Sequence, residues 1–153
     1  ADTEERIKSY GEFGAKVRDF AEFLVDDLKL PESAYKTQHE KNLRVTYHDP
    51  CHLGRYQGVA KQPRKILRSI NGLDFVEMDR ADDCCGMDGT FSINHYQTSQ
   101  QILKHKIESI RKTNADVVVV NCPGGMIQIQ DGLLKHKMPQ KVLHLAQLLD
   151  GET

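Results

Sequence analysis

Three times along this chain a short β-rich or apolar segment runs into a loop that carries cysteine. A helical segment or a glycine-rich turn follows each time. The loops are Asp49-Pro50-Cys51-His52, Cys84-Cys85-Gly86 and Asn121-Cys122-Pro123-Gly124, and they hold all four cysteines of the chain. Residues 43–47 alternate and are β-rich, and Pro50 cannot donate to a ladder, so a first strand ends there. Residues 73–78 read as a second strand. Val117–Val120 is a continuous apolar run, the pattern of a strand covered on both faces. Residues 141–145 make a short last strand.

Helical patterns lie between them. Pro63 suits a first helical turn, and Ile66, Leu67 and Ile70 supply its apolar face before Asn71-Gly72 stops it. Ile102, Leu103, Ile107 and Ile110 mark a long helix over 94–112, a shorter one covers 126–134, and 145–149 form a closing turn. At the amino end, 3–28 reads as helix broken at Gly11 and Gly14. Its apolar stripe is Ala15, Val17, Phe20, Phe23, Leu24 and Leu28, and the polar stretch 31–41 reads as a surface linker. The domain reading is therefore a helical segment and linker over 1–42 and one α/β unit over 43–150. Its predicted core is a mainly parallel sheet of about four strands with flanking helices. Right-handed crossovers bring successive strand ends to one edge, where such sheets bind ligands. All four thiols are thus predicted in one crevice.

A chain of 153 residues suits one domain with a real core. Its 21 basic and 22 acidic side chains nearly balance, which gives no reason to expect nucleic acid as a partner. The longest apolar run, Val117–Val120, is far below the roughly 20 residues of a membrane helix. No charged segment followed by an apolar stretch opens the sequence, so a secretory signal is not expected. Four cysteines can form two disulfides, but adjacent Cys84 and Cys85 bridge only through a strained, easily reduced ring. A reducing, cytoplasmic compartment with free or metal-bound thiols follows, peripheral to a membrane complex at most.

Unused thiols belong on the periodic apolar faces of helices and strands. These four instead stand beside Gly, Pro, Asp and His, where a thiolate is available to a soft metal or an iron–sulfur cluster. A tetrahedral zinc is the rival, although its usual Cys-x-x-Cys knuckles are missing. Gly86, Gly89 and Gly124 leave backbone N–H groups open to an anionic core. His48 and His52 flank Cys51 and can donate to sulfides, supply a proton or act as a ligand. More simply, His48 ends a strand and bonds a carbonyl, and His52 opens a helical turn. Arg55, Lys61, Arg64, Lys65 and Arg68 read as a solvated basic face, and Asp49 as the cap of the turn after it.

Together, 48–54 (His-Asp-Pro-Cys-His-Leu-Gly), 84–91 (Cys-Cys-Gly-Met-Asp-Gly-Thr-Phe) and 121–125 (Asn-Cys-Pro-Gly-Gly) resemble the cysteine-rich CCG domain. That domain occurs in heterodisulfide reductase and in the iron–sulfur subunits of glycolate oxidase and lactate dehydrogenase. The resemblance implies Cys51, Cys84, Cys85 and Cys122 as metal ligands, with Gly86, Gly89 and Gly124 around a [4Fe–4S] cluster, zinc being the alternative. Gly125 stands where the family's fifth cysteine falls, so it is expected to face the site with no other side chain filling the gap. The implied role is electron transfer within a larger oxidoreductase, to a disulfide or quinone, rather than an enzyme complete in itself. Implied partners are subunits or domains carrying flavin or ferredoxin-type clusters. The contrasting role is a zinc-stabilised docking module without redox activity.

Overall fold

The structure, a computed structural model, describes residues 3–36 and 42–151. Helix α1 (Glu4–Gly14) starts at an N-cap, where the Thr3 hydroxyl accepts the Arg6 N–H, and buries none of its residues. Gly11 does not break it; the chain turns after Gly14. A second helical stretch, α2 (Phe20–Glu22), opens with an Asp19 capping box and continues as a π-helical turn, Phe23–Asp27. Its buried edge is Ala21 with Leu24 and Val25 packed beside it, whereas Val17, Phe23 and Leu28 are exposed. The expected stripe is therefore not one buried face, and past Phe23 the π turn shifts each following side chain around the axis. Pro31 leads a single 3₁₀ turn, Glu32–Ala34, and Tyr35 is buried rather than part of a surface linker. The rest of that linker, 37–41, lies outside the described residues.

Strand β1 (Leu43–His48) is followed by a π-helical turn, His52–Gln57, and by α3 (Lys61–Ser69). Strand β2 (Leu73–Phe75) is shorter than expected. Beyond it the Val76 N–H still bonds β1, at Val45 O, before the chain leaves the sheet. Helices α4 (Phe91–Asn94) and α5 (Tyr96–Thr113) lead into β3 (Val117–Val120). Helix α6 (Pro123–Lys135) begins directly after Cys122, with Pro123 in its first turn. Strand β4 (Lys141–Leu143) and α7 (Leu145–Asp150) close the fold.

The four strands are all parallel, in the order β2-β1-β3-β4. The chain steps from β1 outward to β2, then crosses back to the other side of β1 for β3. Two right-handed crossovers in opposite directions place their helices on opposite faces. Two cores result. One packs α3, α7 and Ala21 against Val45, Tyr47, Val117 and Val119; the other packs α5 and α6 against Val118 and Val120. Alternation along β1 turns Thr46 and His48 toward the second face. Gly132 lets α6 approach α5, since a Cβ there would stand 2.8 Å from Ile107 Cδ1. The direction of the crossovers reverses between β1 and β3, and their carboxyl ends are paired, His48 with Val120. In such a sheet that junction is where a ligand crevice opens.

Candidate metal centre

Cys51 leaves the end of β1 and Cys122 the end of β3, so the two central strands deliver one thiol each to the same edge. The loop after β2 brings Cys84 and Cys85 to it. All four line one cleft of about 480 Å³, with His48, Gly89, Gly124 and Gly125 also in its wall. All four are free thiols, Cys85 buried and the others half-buried. They surround the cleft without closing on a point. Among the described residues no three His, Cys, Asp or Glu side chains are grouped as the ligands of a single ion.

The loop over 76–85 has no regular structure of its own, and one carbonyl anchors it. Ala81 O accepts the Asp49 backbone N–H at 3.1 Å, Lys106 Nζ at 3.1 Å and His48 Nδ1 at 3.2 Å. Three donors from β1 and α5 thus tie the Cys51 arm to the Cys84–Cys85 arm. Lys106, 1% exposed, also donates to Arg80 O at 2.8 Å. Arg64 fastens the same region from α3. It grips Asp49 through both terminal nitrogens, at 2.7 and 2.6 Å, and Glu77 at 2.7 and 2.8 Å. Asp49 is therefore held by an arginine fork and caps no turn. Arg64 is not part of a solvated face, because a buried carboxylate such as Asp49 needs a charged partner. Arg55 Nη2 donates to Asp82 O at 3.1 Å.

Gly86 shows why the cysteine pair is followed by glycine. Its φ is +89°, and a Cβ would lie 2.5 Å from the Ser99 carbonyl oxygen. The close approach aims the Gly86 N–H at Cys84 Sγ, 3.2 Å away, while Gly86 O accepts from Ser99 Oγ. Its place is behind the thiols, against α5, rather than in the cleft wall. Gly89 and Gly124 do line the cleft, and a Cβ on Gly124 would be 3.8 Å from Cys122 Sγ.

Burial dominates the electrostatics. It pushes the Cys85 thiol up to about 11; the Met87 backbone N–H opposes this, and the neighbouring thiols add to it. Removing a charged form from water costs more than one such hydrogen bond returns. Burial also lowers the Lys106 ammonium's pKa and pushes His48 down to about 3, with repulsion from Lys106 second. His48 is therefore a neutral imidazole.

Gly125 lies in the cleft wall as expected, and its φ is not in the left-handed range. Two side chains stand beside it, Val120 tightly and His48 at ordinary contact distance. A Cβ at 125 would meet Val120 Cγ1 at 3.1 Å and the His48 ring at 3.6 Å (Cδ2) and 3.8 Å (Nε2). His48 does bond a carbonyl, and His52 opens the π turn, exposed at the cleft rim. The residues not foreseen were Arg64 and Lys106 in their anchoring roles and the Ala81 carbonyl. A charged residue at an apolar-face position, as Lys106 is between Leu103 and Ile110, was the available signal.

A family model, the cysteine-rich domain CCG, matches residues 45–130. The chain belongs to this family. It is 42% identical over 149 residues to a fumarate reductase (CoM/CoB) subunit from Methanothermobacter marburgensis, covering 94% of this chain and 29% of that protein. It is 36% identical over 136 residues to lactate utilization protein A of Geobacillus sp. (strain WCH70), covering 89% and 56%. To a probable glycolate oxidase iron-sulfur subunit of Bacillus subtilis (strain 168) it is 36% identical over 140 residues, covering 90% and 31%. The chain thus spans between three tenths and somewhat over half the length of these relatives.

Proposed function

We propose that this CCG-family chain holds an iron–sulfur cluster, of [4Fe–4S] type, on Cys51, Cys84, Cys85 and Cys122, and that residues 43–150 form the cluster-binding unit. The carrying observation is the convergence of four free thiols, from three separate loops, on one cleft at the junction of β1 and β3. Four soft donors around a space of that size suit a cofactor with several metal vertices, whereas one zinc needs all four sulfurs about 2.3 Å from a single point. A relative named as an iron-sulfur subunit supports the same reading. When bound, such a cluster supplies reversible one-electron transfer.

The chain's own groups fit that role. Backbone N–H groups of Gly86 and Met87 point at Cys84 and Cys85 sulfurs, where they stabilise negative charge. The amino end of α6 at Cys122 favours negative charge as well. Buried Lys106 supplies a compensating cation behind the cysteine pair. His52, Arg55 and Tyr56 form the solvent side of the cleft, the open path for an electron partner.

Function follows as electron transfer inside a larger oxidoreductase whose other parts carry flavin or ferredoxin-type clusters, with a disulfide or quinone as acceptor. No described helix is long and apolar enough to cross a membrane. Metal and acid-labile sulfide analysis of anaerobically purified chain tests the reading. Iron with matching sulfide is expected. Colourless protein with one zinc per chain and no sulfide would establish the zinc module instead.

A further inference from the structure

Of the histidines at the cleft, His48 is the one enclosed by the fold. Its side chain ends β1 on the face toward α5 and α6 and is 2% exposed. Nδ1 lies 3.2 Å from Ala81 O. A carbonyl oxygen can only accept, so Nδ1 carries the ring proton and Nε2 is left with a bare lone pair. No hydrogen-bond donor among the described residues reaches Nε2. An unshared imidazole lone pair beside a cleft is available to a metal. The ring lies in the wall of the cleft that the four thiols line, against Gly125.

We infer that His48 Nε2 is a ligand to iron of the cluster held in this cleft, from its place beside Gly125. The inference rests on the cluster reading above and adds a donor to it. Two features hold the imidazole for that task. The β1–β3 register fixes His48 beside Val120. The Nδ1–H bond to Ala81 O sets the tautomer and the ring plane, as outer partners of metal-bound histidines do. Imidazole is a competent ligand for iron, and it is neutral where a thiolate is charged. With four thiolates already present, one iron then carries two protein donors. Added to four thiolates, the neutral imidazole leaves the charge of the ligand set unchanged, and its donated lone pair favours the more oxidised iron.

The test is pulsed electron paramagnetic resonance on anaerobically prepared protein, loaded with iron and sulfide and then reduced by one electron with dithionite to give a paramagnetic cluster. The unlabelled chain is compared with one carrying ¹⁵N-histidine. A strong nitrogen coupling that changes with the label is expected. It should survive His52→Asn and vanish in His48→Asn, whose short amide still donates to Ala81 O and so preserves the fold. His48→Asn should also shift the potential to more positive values at unchanged iron content, because a donor is lost while the four thiolates stay. A cluster of full iron content with no label-sensitive strong coupling overturns the inference and leaves the cluster reading standing, as does a coupling that persists in His48→Asn. Protein that binds zinc and no iron overturns both.

Discussion

At the scale of single residues, the histidines away from the cleft set part of the acid sensitivity. His144 opens α7 by accepting the Ala146 N–H on Nδ1 at 3.1 Å, while Gln147 accepts the His144 N–H at 2.8 Å. Burial holds the His144 pKa below the ordinary 6.5, opposed by the charge of Asp19; protonation would also fill the lone pair the cap uses. The unfolded imidazole gains its proton near pH 6.5 and the folded one only at lower pH. Between those points the unfolded state binds more protons, so stability falls as pH falls. His48, buried and neutral, acts with the same sign down to about pH 3 in the metal-free chain. Denaturant midpoints of the metal-free protein should therefore drop between pH 7 and pH 5. His144→Asn, which caps without titrating, should flatten that slope while costing less than about 1 kcal/mol at pH 7. An unchanged slope in the variant would show that His144 does not titrate in this range.

Among the elements, the contact between α5 and α6 is the tightest test of packing, because both helices support the cysteine loops from one face of the sheet. Gly132→Val would press a branched side chain into Ile107 and Leu103, whose nearest atoms would lie 2.8 to 3.0 Å from the new Cβ. A loss of about 1–3 kcal/mol is expected by urea unfolding. Ile107→Val in the same chain should recover part of it, since the atom at 2.8 Å is then gone. Equal midpoints for Gly132→Val and the parent would mean that the helices are not in close contact there. Much of this level was readable in advance. The run Val117–Val120 declared a central strand, and the sequence Pro63, Ile66, Leu67, Ile70 declared α3. Other parts were not readable for identifiable reasons. Gly124-Gly125 mimics a turn, which hid the true start of α6 at Pro123. The π turn of Phe23–Asp27 rotates the last part of the amino-terminal stripe, which no fixed period anticipates. Arg64 and Lys106 look solvated by residue type, and only tertiary structure supplies the buried carboxylate and carbonyls that claim them.

For the whole molecule, the reversal of crossover direction between β1 and β3 does the positioning. It opens a crevice at the strand ends, and the cysteines were legible as a site because each follows a strand-like segment. The sequence could not show that the Cys84–Cys85 arm is tied to the Cys51 arm through Ala81 O, nor that the His48 ring lies beside Gly125, since both depend on atoms from distant elements. The central claim is that thiols from all three loops hold one cluster. It is tested most directly by iron and sulfide content per chain in Cys51→Ala, Cys84→Ala, Cys85→Ala and Cys122→Ala, each prepared anaerobically beside the parent. The account predicts that every one of the four binds less iron and sulfide than the parent, whichever loop is altered. Full parental iron and sulfide in variants of any one loop would contradict it, because that loop would then lie outside the centre.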